Sequence, residues 1–170
     1  MPSQDRTNTA RFRDPLSRLS GFTGAILVHC PRCDGRTRIC PEARPEDQQS
    51  RYWTALKPRR LTCLSCGFTD RWTVTGGTHG GVTPPKFSGP DDPYFGASLW
   101  LSTDCRGHIL WAYNLEHLDL LENYVSAQLR ERGKIPGSMS LVERLPAWIK
   151  DGKHRHDVLN GIGRLRAMAS

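Results

Sequence analysis

Apolar positions come first in short alternating clusters and later with helical periodicity. Gly24-Ala-Ile-Leu-Val-His-Cys30 reads as a strand, and Arg36 to Cys40 reads as its return. Arg60-Leu-Thr-Cys63 predicts a third strand. Phe68 to Val74 alternates apolar and polar residues and predicts a fourth. Residues 41–58 are polar and contain Pro41, Pro45, Glu46, Asp47, Gln48 and Gln49, which predicts a loop or a short helix.

The Gly/Pro-rich stretch 76–93 interrupts this pattern and reads as a linker. Beyond it, Ser98 to Ser102 and His108 to Tyr113 predict a β-hairpin around Asp104-Cys-Arg-Gly107. Leu118, Leu121, Val125 and Leu129 then recur at helical spacing. With Asn114 as N-cap and Gly133 as the stop, a helix over 115–132 would be about 27 Å long. Ser140 and Glu143 have capping-box spacing, so a further helix is expected from Leu141, with Pro146 breaking or restarting it. Val158, Leu159, Ile162, Leu165 and Met168 mark the last helix. The expectation is an α+β fold: an N-terminal four-cysteine zinc ribbon of short antiparallel strands, then a β-hairpin and about three C-terminal helices. Its divisions are a disordered tail at 1–22, a ribbon at 23–75, the linker at 76–93 and a hairpin-plus-helix domain at 94–170.

The cysteines sharpen this picture. Cys30-Pro-Arg-Cys33 and Cys63-Leu-Ser-Cys66 each put two sulfurs on either side of a two-residue spacer at the end of a predicted strand. Two such turns facing each other make a thiolate tetrahedron. Gly35 and Gly67 follow them, where a positive φ turns backbone N–H groups back toward sulfur. Four thiolates close the coordination shell, so the reading is one structural Zn2+ on Cys30, Cys33, Cys63 and Cys66. Iron, or two separate redox pairs, are the alternatives. Cys40 reads as a small buried hydrophobe on its strand. Cys105-x-x-His108 has ligand spacing, but a second site would need His117 to join.

The 170 residues carry a formal net charge of +7, which favours an anionic partner. Arg51, Tyr52, Trp53, Lys57, Arg59 and Arg60 interleave cations with aromatics, which suits a nucleic-acid strand; the alternative is that Tyr52 and Trp53 cover the small ribbon core and the charges are merely solvated. Lys150, Lys153 and Arg155 are further candidates in a C-terminal stretch, residues 126–170, with nine basic residues against four acidic ones. No apolar run is long enough to span a bilayer, and Met1 to Ser20 lacks the apolar stretch of a secretory signal. A cytoplasmic, reducing setting is therefore expected, where cysteines serve as metal ligands before disulfides.

At Pro93-Tyr-Phe-Gly-Ala-Ser-Leu-Trp-Leu101 and Gly107 to Leu118 the chain resembles a group of small bacterial zinc-ribbon proteins. The likeness extends to Leu129-Arg-Glu-Arg132 and Ser140 to Trp148, and covers about residues 25–168. Such proteins are described as transcription-factor-type zinc ribbons or as replication-restart helicases. This chain has no Gly-x-x-x-x-Gly-Lys-Ser/Thr phosphate loop and is too short for helicase domains. The family pattern often has two adjacent cysteines where this chain has Cys105-Arg106. The resemblance implies the fold and the zinc, and no activity.

Three functional classes follow. The first is a non-enzymatic zinc-ribbon adaptor on nucleic acid, associated with transcription or replication. The second is a protein-interaction module built on Trp100, Trp111 and Tyr113, with Glu116, Asp119 and Glu122 alongside. The third is a ββα-type metal-dependent nuclease using His108, Asn114 and His117, whose spacing is poor for that chemistry.

Overall fold

The structure, a computed structural model, describes residues 11–42, 55–74, 84–131 and 139–170. It is α+β, as the sequence pattern predicts. Strands β2 (Ile26–His29), β3 (Arg36–Pro41), β4 (Arg59–Thr62) and β5 (Thr69–Trp72) form an antiparallel sheet in chain order. A hairpin follows, β6 (Ser102–Cys105) and β7 (His108–Trp111), paired from Ser102↔Trp111 to Cys105↔His108. Helix α1 spans Leu115–Ser126, and the short helices α2 (Leu141–Arg144) and α3 (Ala147–Lys150) lead into α4 (Arg155–Ala169).

The local signals act as expected at several helix starts. The Asn114 side chain accepts from His117 N at 2.9 Å, while its amide donates to Phe22 O and Ala25 O and ties α1 to the ribbon. Ser140 and Glu143 form a reciprocal capping box. Pro146 ends α2 and stands at the N-cap of α3. Gly161 on α4 is where the helix meets the hairpin. A Cβ there would come within 2.7 Å of Leu110 Cδ2.

Three expectations need correction. The disordered tail does not extend to residue 22. Strand β1 (Arg11–Arg13) pairs in parallel with β8 (Leu129–Glu131), and Phe12 and Phe22 are buried. Phe12 meets the Tyr124 ring edge-on at 5.4 Å, and Asp14 accepts from Ser140 Oγ at 2.6 Å. Contacts with residues far along the chain thus order a segment whose own composition is polar. Residues 1–10 of the expected tail lie outside the described residues.

Helix α1 also ends earlier than its periodicity suggests. Its last turn is closed by Arg130, whose guanidinium donates to Tyr124 O and Val125 O and stacks 4.3 Å from the Tyr124 ring. The same guanidinium reaches Lys150 O at 2.7 Å, so a tertiary contact holds residues 129–131 extended. Gly133, the expected stop, is outside the described residues.

The linker does not separate two domains. At its end, Asp92 is buried and its carboxylate accepts the N–H groups of Tyr94, Phe95 and Ala97, building a turn. The free edge of β2 is then bonded from the other half: Leu27 N to Tyr113 O, Trp100 N to Leu27 O and His29 N to Ser98 O. Ile26, Val28, Ile39 and Leu61 share one core with Tyr94, Leu99 and Tyr113. A second core joins Leu101, Leu110, Leu118, Val125, Val158, Ile162 and Leu165 between the hairpin, α1 and α4.

Candidate metal centre

The two cysteine pairs sit at matching turns. Cys30 closes β2 and Cys63 closes β4. In the first turn Cys30 N donates to Gly35 O and Asp34 N to Cys30 O. In the second, Cys63 N donates to Phe68 O and Gly67 N to Cys63 O. The backbone geometry is repeated, but the residue in the left-handed region is not. Gly67 takes it in the second turn (φ 72°) and Asp34, not Gly35, takes it in the first (φ 59°). Asp is among the few side chains that tolerate this conformation. At Gly35 a Cβ would lie 3.4 Å from Cys33 Sγ and 3.5 Å from Ser65 Oγ, in ordinary contact with both turns.

The four sulfurs converge, all within 4.8 Å of one another. Cys30 Sγ lies 3.7 Å from Cys66 Sγ, and Cys33 Sγ lies 3.6 Å from Cys63 Sγ. A tetrahedron with metal–sulfur bonds of about 2.3 Å has sulfur–sulfur edges of about 3.8 Å. The cluster could therefore hold a metal ion. Arg32 N points at Cys30 Sγ at 3.4 Å, an N–H aimed at a ligand sulfur. Proton sharing within the thiol cluster splits its members. The Cys66 and Ser65 N–H groups help draw Cys63 down to about 6. At Cys33 the Gly35 N–H acts downward, yet hydrogen bonding with Cys66, burial and the other two thiols leave it pushed up to about 12. A bound cation would replace those shared protons and hold the sulfurs as thiolates.

Among the described residues, no second group of three or more ligands gathers. Cys105 is buried with its thiol directed at Asp157 O, and His108 stacks on Trp148 with centroids 4.9 Å apart. His117 lies in the core, 2 % exposed, with Nδ1 accepting the Tyr113 N–H at 3.2 Å. Asn114 is spent on the α1 cap and its two carbonyls. Cys40 is half-buried on the outer face of the sheet opposite Arg60 and lies outside the core.

Burial alone drives His117 down to about 4 from its usual 6.5. The unfolded chain takes up this proton near 6.5 and the folded one resists it. Stability contributed here is complete above pH 6.5 and is lost as pH falls toward 4, by about 3 kcal/mol in all. Urea midpoints between about pH 7 and 4 should show this slope, and His117→Phe should flatten it. An equal slope in the variant would rule out His117 as its source.

The expected nucleic-acid residues are divided by the structure. Arg51, Tyr52 and Trp53 lie outside the described residues. Arg59 is fully buried, donates to Thr23 O and Thr23 Oγ1, and sits 4.5 Å from the centre of the Tyr94 ring. It holds the ribbon core and has no surface to offer a phosphate. Lys57 is half-buried. Lys150 donates to Glu143 O and Arg155 to Ala127 O, so both tie helices together. Lys153 is exposed. Trp100 donates Nε1–H to Met168 O, and Tyr113 is fully buried. Asp119 and Glu122 both pair with Arg166.

Sequence reasoning named Arg60 but missed Arg38 and Arg71, which share the outer face of the sheet with it. Cross-strand partners share a face, so the pairs Arg38↔Thr62, Cys40↔Arg60 and Arg60↔Arg71 line one side. Arg38, Arg60 and Arg71 are exposed there, while Ile39 and Leu61 alternate into the core. Glu42 takes Arg60 at 2.9 Å and Arg71 at 2.8 Å, and no ion pair engages Arg38 among the described residues. The signal was the Arg-x-Arg alternation of β3, legible only once strand and partner register are known.

No protein-family model, curated protein or solved structure matches this chain. Fold and site therefore define it only as an α+β protein with facing cysteine turns able to hold a metal ion. No described helix is long and apolar enough to cross a membrane.

Proposed function

We propose that this is a non-enzymatic zinc-ribbon protein that binds nucleic acid with the outer face of its ribbon sheet. Zinc is the choice for the cluster because a closed tetrahedron of four soft thiolates is its usual structural setting. Its role is to hold the two turns together, and so to keep β2 to β5 in register. A cytoplasmic setting, which keeps the thiols reduced, belongs to the same reading. So does membership of the small bacterial zinc-ribbon group that residues 93–101 and 107–118 resemble.

The observation that carries nucleic-acid binding is the arginine face itself. Arg38, Arg60 and Arg71 stand on three adjacent strands, about 4.8 Å apart from strand to strand. Glu42 is one carboxylate shared by two guanidiniums, so the patch retains positive charge. Guanidinium forks suit phosphate oxygens. A hollow of about 350 Å³ whose lining includes Arg38, Cys40, Glu42, Arg60, Thr62 and Leu64 lies within this face.

The test is a titration of the metal-loaded protein with single- and double-stranded DNA and RNA at several salt concentrations. Affinity should fall with salt. Arg38→Glu should weaken every sequence alike and reduce the logarithmic salt slope by about one. Binding that ignores salt, or that Arg38→Glu and Arg60→Glu leave unchanged, would remove this face from consideration. Metal analysis of the purified protein checks the ion independently.

A further inference from the structure

A cavity of about 490 Å³ lies away from the thiolates, among the 3-10 turn Leu19–Phe22, β7, α1, α2 and α3. Its floor is buried: His117, Leu121, Leu141 and Ile149. Trp111 and Trp148 are half-buried walls, and the exposed residues Ile109, Met139 and Arg144 mark its mouth. This volume, with an apolar lining and few polar groups, belongs to sites for small molecules, whereas protein-docking surfaces are broader.

His117 supplies an independent observation. Its Nδ1 accepts the Tyr113 N–H, so the neutral ring carries its proton on Nε2. The ring lines the cavity, is 2 % exposed, and its Nε2–H meets no acceptor among the described residues. That donor is not sealed off from the cavity, so an acceptor atom on a ligand can take it. Charge narrows the ligand further. The described lining includes Arg18 and Arg144 and no Asp or Glu.

We propose that this cavity binds a small aromatic carboxylate carrying a second, neutral oxygen. The rings lie between Trp111 and Trp148, the neutral oxygen accepts from His117 Nε2–H, and the carboxylate faces the Arg144 side of the mouth. The site is separate from the ribbon face and does not depend on nucleic-acid binding.

The probe is 6-hydroxy-2-naphthoate, titrated calorimetrically into the full-length, metal-loaded protein, with 2-naphthoate as the analogue lacking the second oxygen. Saturable 1:1 binding is expected, with 2-naphthoate about tenfold weaker. His117→Phe should erase that difference between the two probes. Met139→Trp, which fills an exposed mouth position without entering the core, should weaken both about tenfold or more. Arg144→Glu should do the same through charge. Circular dichroism confirms that each variant is folded. Absence of saturable binding, or binding that Met139→Trp and Arg144→Glu both leave intact, overturns the proposal.

Discussion

Replacing Cys63 with serine, or stripping the metal with a chelator, should unfold the ribbon and abolish the cooperative transition of the whole protein. Cys63 closes β4 and faces Cys33 across the cluster at 3.6 Å. Binding of structural zinc to such sites is worth about 10–16 kcal/mol, and a domain's net stability is about 5–15 kcal/mol. Loss of the proposed zinc would therefore be comparable to the entire margin. The damage should not stop at residue 75, because Ile26, Val28, Ile39 and Leu61 share a core with Tyr94, Leu99 and Tyr113. Backbone bonds across β2 couple the same two parts. Near-ultraviolet dichroism of the tryptophans and tyrosines, followed through urea with and without chelator, measures this. A chelated protein that keeps its midpoint would mean that the cluster is not what holds the ribbon.

Phe12→Ala should cost about 3–5 kcal/mol, the usual range for emptying a buried phenylalanine site. Phe12 is 7 % exposed, and its ring meets Tyr124 edge-on with an interplanar angle of 88°. The substitution also weakens the reason for β1 to pair with β8, since Phe12 is the inward residue of that three-residue strand. Arg11→Ala is the control. It breaks an ion pair with Glu131 whose partners are both at least half exposed, and such pairs contribute about 0–1 kcal/mol. Urea denaturation of the two variants separates the effects. A Phe12→Ala cost as small as that of Arg11→Ala would return residues 11–14 to the status of a tail.

The cysteine turns, the four ribbon strands, the second hairpin strand and the helix starts at Asn114 and Ser140 were legible because each rests on local chemistry, whereas the first hairpin strand is Ser102–Cys105 and not the expected Ser98–Ser102, which bonds to β2 instead. A Cys-x-x-Cys spacing, a strand alternation or a cap needs only neighbours within a few residues. The boundary at 76–93 misled because Gly/Pro composition reports what a segment cannot do on its own. It says nothing of Asp92, whose carboxylate gathers three N–H groups once the surrounding core exists. Arg59 misled for a related reason. Beside Arg60 it looks like half of a basic patch, but consecutive strand residues face opposite sides, and Arg59 falls on the buried one.

The chain's own order of residues thus determined that Cys30, Cys33, Cys63 and Cys66 would form two matching turns, and that an α+β fold would carry them. Spacing along the chain is enough for that, because the ligands of each turn are fixed by the same few peptide bonds. Tertiary structure alone decided which arginines face water, that Phe12 joins the core, and that His117 ends beneath a cavity. Each of these depends on register, burial or a partner far away in sequence, so local spacing becomes readable only once the strand pairing and the core are in place.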